Sequence, residues 1–323
     1  MILAGDVGGT KALVAVCDDA GKVTREAIYH CADYGSLEAV LDTFLGAERT
    51  QLRAACFGVA GPVVDGVARI TNLPWTIGER ALAQKLGAPV RLLNDLQATA
   101  LGALAIPDAA FAVLQPGPMP PHATIAVIAP GTGLGESLLV SDGTRYRALP
   151  TEAGHADFAP GTDEEIELWR FLRSLYGSHV SYERVLSGNG LGDLYAFCRA
   201  RDGRTEPVWL ADKLAKGDRN AVIAETALAE GDPACVHALE LFVAILGAEA
   251  GNLALRGLAV GGVVVGGGIP PKILPALQRP AFLARFSDKG RFHKWTRALA
   301  VRVSLEPKAA LYGAAHDAAT RKD

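Results

Sequence analysis

The sequence lacks any cysteine pair at metal or redox spacing. Its five cysteines, Cys17, Cys31, Cys56, Cys198 and Cys235, are scattered and odd in number, which suits a reducing compartment and offers no zinc site. It lacks a basic tract as well. Lys and Arg number 32 against 35 Asp and Glu, a net charge of −3, which argues against a nucleic-acid partner. The longest apolar stretches are broken by Gly, Asn or charge before they reach the ~20 residues that span a bilayer, so no membrane partner is expected. Residues 1–4 read as a strand, without the charged n-region or cleavage site of a secretory leader, and the expected location is the cytoplasm. There is no G-x-x-x-x-G-K-[ST] loop and no protein-kinase motif set, which excludes both of those nucleotide-binding classes.

What remains is a chain of 323 residues, 50% hydrophobic and 21% charged, a composition of ordinary globular enzymes and a length that favours two domains. Residues 2–18 form two β-runs around Gly5-Asp6-Val7-Gly8-Gly9-Thr10-Lys11, the pattern of a hairpin. Ser36 to Leu45 reads as a short helix capped by Ser36, Ala54 to Ala60 as a strand, and Thr76-x-x-Glu79 as a capping box whose helix stops at Gly87. A buried strand, Val90 to Leu93, ends at Asn94-Asp95, and a helix-like run follows to Leu104. After Ile106-Pro107 comes a proline-rich loop (Pro116, Pro118, Pro120, Pro121), the best candidate for a domain crossing. Strand, Gly/Thr loop and strand then repeat over residues 124–140 around Pro130-Gly131-Thr132-Gly133-Leu134-Gly135. Helices dominate from residue 151. They include one capped by Thr162 and a long one opened by Asp232-Pro233 that runs to about Arg256. Strand Val263 to Val265 leads into Gly266-Gly267-Gly268, and a strand near Val301 to Leu305 precedes an alanine-rich helix, Lys308 to Ala319.

Three glycine-containing turns thus follow three strands. Glycine lets backbone N–H groups approach a phosphate, and threonine adds a hydroxyl donor. Singly each is a structural turn; together they fit a nucleoside triphosphate. The first lies in a hairpin rather than at the head of a helix, which sets aside a dinucleotide fingerprint. Asp6 beside the first turn either caps that turn or works through a cation, since a carboxylate next to phosphates needs Mg²⁺ to separate the charges. Asp95 sits where a strand hands over to a helix, a position that serves as an N-cap or, in open α/β sheets, as a ligand site. Glu152-x-x-His155 could hold a metal on a helix, but Gly154 and Pro150 oppose a helix there. Two acceptors on one loop could instead bind neighbouring sugar hydroxyls, with Glu183 as a third.

In combination these stretches resemble the bacterial glucokinase family, within the sugar kinases and actin-like ATPases. The matching segments are Gly5 to Thr10, Thr71-Asn72-Leu73-Pro74-Trp75, Leu93-Asn94-Asp95, Gly131 to Gly135, Glu152-Ala153-Gly154-His155, Glu183 to Gly188 and Gly266 to Ile269, in the family's order. The resemblance implies a two-lobed α/β fold of the actin-like (ribonuclease H-like) type, with nucleotide and sugar held in a cleft. Residues 1–105 would form the small lobe, joined by the C-terminal segment 303–323, and 106–302 the large one. It implies Asp95 as general base on the sugar 6-hydroxyl, with Asn94, Glu152, His155 and Glu183 on the other hydroxyls. Asp6 would act on Mg²⁺, Gly8, Gly9, Thr10 and Gly131, Thr132, Gly133 would hold the phosphates of ATP, and Gly266, Gly267 and Gly268 would face the nucleoside. Lobe closure on the sugar would keep water from the phosphate.

Two departures stand out. Lys11 occupies a position where many glucokinases have Asn, as in the related repressor/kinase group. That group's cysteine-rich zinc loop is absent, because Phe158-Ala159-Pro160-Gly161 follows, so the chain sits with the zinc-free branch. The alternatives are a kinase for fructose, mannose or an N-acetylhexosamine, and a sugar-binding regulator without catalysis, which would usually carry a DNA-binding helix pair ahead of the kinase body. Family members often pair as homodimers, although the apolar helix 233–256 reads as core.

Overall fold

The computed structural model describes residues 1–46 and 51–321. The chain divides into two compact units. The first comprises Met1–Ala110, Ser137–Pro150 and Glu306–Asp323, and the second comprises Phe111–Glu136 and Thr151–Leu305. Segment Ser137–Pro150 therefore groups with the first unit, whereas the sequence reading counts it within 106–302.

The first unit is built on β1 (Ile2–Val7), β2 (Lys11–Cys17), β3 (Val23–His30), β4 (Ala54–Val59), a small antiparallel sheet of β5 (Val63–Val64), β6 (Val67–Arg69) and β7 (Thr76–Gly78), and β8 (Val90–Asn94). Its main sheet runs β3-β2-β1-β4-β8. The first three strands are antiparallel neighbours, while β1, β4 and β8 are parallel. Strand β4 is buried throughout, as expected for a central strand covered on both faces. One face packs on the helix Leu37–Leu45, whose cap Ser36 accepts from the Ala39 N–H. The other face meets the helix Ala309–Thr320, which also lies against the helix Asp95–Gly102. That helix pair approaches closely because neither side has a side chain at the crossing. A Cβ on Gly313 would collide with the carbonyl oxygen of Ala98, and one on Gly102 with that of Ala309.

Local expectations fail at two places. Thr76 caps no helix: it lies in β7, and Gly78 precedes the helix Glu79–Leu86 without a side-chain cap. The Glu79 carboxylate is engaged elsewhere, accepting from the Leu92 N–H at 2.8 Å, so tertiary packing overrides the local motif. At the strand-to-helix handover the cap is Asn94, not Asp95. The Asn94 side chain accepts from the Leu96 N–H at 2.9 Å, Gln97 accepts from the Asn94 N–H at 3.2 Å, and the helix ends at Gly102 rather than Leu104.

The second unit contains β9 (Phe111–Gln115), β10 (Ile125–Pro130), the start of β11 (Leu134–Ser141), β13 (Val263–Val265) and β14 (Val301–Ser304). Strands β10, β13 and β14 are parallel neighbours, with β9 antiparallel at the edge. Beyond Glu136, β11 continues into the first unit and pairs with β12 (Tyr146–Leu149). Around the second sheet stand helices, of which Pro233–Gly257 is the longest. Asp232 caps it, accepting from the Ala234 and Cys235 N–H groups, and Pro233 opens it. By length and composition alone this helix could span a bilayer, contrary to the expectation that all apolar stretches are too short. Burial accounts for its character instead, since 72% of its most apolar window lies inside the fold.

Candidate active site

The parallel strands of the first unit end together. The register aligns Asp6 of β1 with Gly58 of β4, and Gly58 with Leu93 of β8; one residue on, it aligns Val7, Val59 and Asn94. Asp6, the Gly8–Thr10 turn and Asp95 therefore collect at the carboxyl edge of one sheet, where open α/β sheets bind their ligands. Asp95 is the first residue of its helix, exposed, with one carboxylate oxygen accepting from the Leu96 N–H at 2.8 Å. Asn94 also donates from Nδ2 to the Gly61 carbonyl at 3.2 Å. Its amide is thus fixed from both ends, with one N–H still to offer. The turn itself is held by the Gly8 N–H donating to Lys11 and the Cys31 N–H donating to Thr10, each at 2.9 Å.

Burial pushes the Asp6 carboxyl up to about 6, and the charge of Asp95 adds to the rise. A divalent cation beside Asp6 would offset that unfavourable charge. Among the described residues no group of three or more His, Cys, Asp or Glu could hold a metal alone. A magnesium ion, which keeps several waters and takes one or two carboxylates plus phosphate oxygens, fits that sparse donor set. The raised value also sets the pH dependence of stability. The folded state keeps the Asp6 proton where the unfolded chain has lost it, so this contribution is complete below about pH 3.8 and gone once the pH has risen through about 6. Asp6→Asn is therefore expected to raise the Tm of the metal-free protein near neutrality, by at most about 3 kcal/mol of stability, and to match wild type near pH 4. Melting curves across that range check this; a Tm difference independent of pH would refute it.

In the second unit the Gly131–Gly133 and Gly266–Gly268 turns follow the adjacent parallel strands β10 and β13. Gly267 has φ +87°, and a Cβ there would strike the Pro130 carbonyl, so only glycine lets the two turns lie side by side. The Gly188 N–H donates to the Gly131 carbonyl at 2.9 Å, which brings the start of the helix Gly188–Arg201 to the same place. A cavity of about 350 Å³ opens here, lined in part by Gly131, Thr132, Gly268, Asp218, Asn220 and Lys272. Gly133, Gly266 and Gly267 shape the turns without lining it. Asp218, Asn220 and Lys272 escaped the sequence reading. Asp218 is recognisable as the cap of the helix Arg219–Leu228, but nothing local relates it to the glycine turns.

The sugar-binding candidates of this unit lie around Leu134, the first residue of β11, whose carbonyl a Cβ on Gly154 would strike. Glu152 precedes a single 3₁₀ turn, Ala153–His155, that His155 closes, and both are exposed, which rules out a pair on an α-helix. Glu183 accepts from the Leu134 N–H at 3.0 Å and sits directly against Gly133. His179 secures the loop, with Nδ1 3.0 Å from Asp157 and Nε2 3.0 Å from the His155 carbonyl.

Glycine turns at strand ends, an acidic pair at a sheet edge and a cavity beside two of those turns agree with the sugar-kinase class that the motifs resemble. The comparisons narrow this class. The glucokinase family model matches residues 3–321. The glucokinase of Nostoc punctiforme is 38% identical over 98% of both chains, and that of Yersinia enterocolitica 38% identical over 97% of this chain and 94% of the other. A crystal structure of glucokinase from an Antarctic psychrotroph superposes with TM-score 0.87 at 31% identity, over 99% of each chain. The fold is shared more distantly with a ROK-family glucokinase from Streptomyces griseus in complex with glucose and AMPPNP, at TM-score 0.64 and 23% identity over 98% of each chain. The chain belongs to the glucokinase family, and its activity is that of an ATP-dependent hexose kinase.

Proposed function

We propose that this chain transfers the γ-phosphoryl group of ATP to the 6-hydroxyl of glucose, with Asp95 as general base. The observation that carries the reading is the shared strand edge that presents Asp95 and Asp6 together. Asp95 takes the hydroxyl proton as attack acidifies it, so no raised pKa is needed. Asn94, Glu152, His155 and Glu183 hold the remaining hydroxyls. Gly8, Gly9, Thr10, Gly131, Thr132 and Gly133 are the phosphate-binding residues of this reading, and the cavity beside Gly268 takes the nucleoside. Bound at Asp6, Mg²⁺ would neutralise charge on the phosphoryl oxygens. In such transfer, positioning and charge neutralisation do most of the work.

Sugar choice follows from the four polar contacts. A site built to bond a hydroxyl rejects an analogue lacking it by as much as ~10⁴–10⁵. A coupled ADP-release assay with ATP over glucose, fructose, mannose and N-acetylglucosamine is expected to give the highest kcat/KM for glucose. Higher kcat/KM for any of the others would reassign the substrate.

A further inference from the structure

We infer that Glu136 and Glu249 form a buried carboxyl pair that shares one proton, and that this pair is a positioning element for the sugar-binding loops. The inference rests on the roles proposed for Glu152 and Glu183. Both glutamates have no solvent exposure, and both oxygens of Glu136 are buried without a hydrogen-bond partner. A fully buried carboxylate in that condition is untenable unless a proton supplies the missing bond. Glu249 is the available acceptor: it faces Glu136, and its own oxygens take bonds from Arg256 Nη1 and, at 2.9 Å, from Asn252 Nδ2.

Arg256 is the cation within ion-pair distance of both carboxylates, bonded to Glu249 and 3.8 Å from Glu136. Lys289, the other cation facing the cluster, is committed to the Ala248 carbonyl and to Asn252 Oδ1, and burial lowers its pKa. The Tyr182 hydroxyl, raised by burial and by Glu249, accepts from Asn252 at 3.3 Å. Burial first, and Glu249 second, push Glu136 up to about 8. The proton of the pair is therefore placed on Glu136.

Its location supplies the function. Glu136 follows the Gly131–Gly135 loop in β11, and its carbonyl accepts from the Thr151 hydroxyl at 2.6 Å, one residue before Glu152. Through Glu249 and Asn252 the side chain reaches Tyr182, the neighbour of Glu183. Three segments assigned to phosphate and sugar converge on one buried proton. Loss of that proton leaves two like charges with one arginine, and the loops must yield.

The test follows the KM for glucose from about pH 7 to about pH 9.5, alongside the infrared carbonyl band of a protonated carboxylic acid. In wild type the band fades and KM rises roughly three- to thirtyfold across the transition near 8, with kcat much less affected. Glu136→Gln, whose amide donates to Glu249 as the acid does, keeps the low KM, flattens its pH profile and lacks the band. Absence of the band in wild type overturns the shared proton. A titrating band with a flat wild-type KM overturns the positioning role. Neither outcome depends on Asp95, whose role is tested separately through kcat.

Discussion

Asp95→Ala is expected to lower kcat by about 10²–10⁴-fold, equivalent to roughly 2.7–5.4 kcal/mol of transition-state stabilisation, while the KM for glucose stays near that of wild type. The substitution is informative because the helix does not depend on Asp95. Its N-terminus is capped by Asn94 and Gln97, and removing an exposed first-turn carboxylate sacrifices only about 0.3–1 kcal/mol of helix-dipole interaction. A large deficit in kcat with only a small fall in Tm thus reports chemistry and not folding. Removing the Asp95 charge also relieves Asp6, so the variant's Asp6 titrates lower than in wild type. Wild-type kcat in Asp95→Ala, at saturating ATP and glucose, would end the assignment.

Gly313→Ala is expected to cost about 1–3 kcal/mol of stability, the usual range for overpacking, and toward the top of it here. The added methyl meets the backbone carbonyl of Ala98, and a backbone oxygen cannot swing aside as a flexible side chain does. The helices Asp95–Gly102 and Ala309–Thr320 must separate, which shifts the first turn of the former and with it Asp95. Lower Tm and lower kcat are therefore expected together. Gly35→Ala, where the new methyl meets open space, serves as the control and leaves both unchanged. A Gly313→Ala protein with wild-type Tm would mean that the helix pair is less tightly fitted than described.

The sequence revealed features whose cause is local. The first hairpin could be read from two β-runs around Gly8-Gly9, the Ser36 cap from its own helix, and the opening of the long helix from Asp232-Pro233. What escaped depends on distant partners. Strand β3 reads Val-Thr-Arg-Glu-Ala-Ile-Tyr-His and is half-exposed; its strand character comes from lying on the edge beside β2, not from an apolar pattern. Thr76 and Glu79 satisfy a capping-box spacing, yet Glu79 is drawn to the backbone of β8. The cavity residues Asp218, Asn220 and Lys272 join the glycine turns only through folding. Glu249 sits in a helix so apolar that its sequence suggests core, and only the structure pairs it with Glu136.

The make-up of the first unit has a consequence for synthesis on the ribosome. Strands β1 and β4 and the Asp95 helix are translated about two hundred to three hundred residues before Glu306–Asp323, and until then one side of their sheet has no cover from the helix Ala309–Thr320. The second unit is complete by Leu305. Nascent chains should thus acquire protease resistance there first, despite the general tendency of N-terminal domains to fold first, and Asp95 should gain its working position only after translation has reached the closing helix.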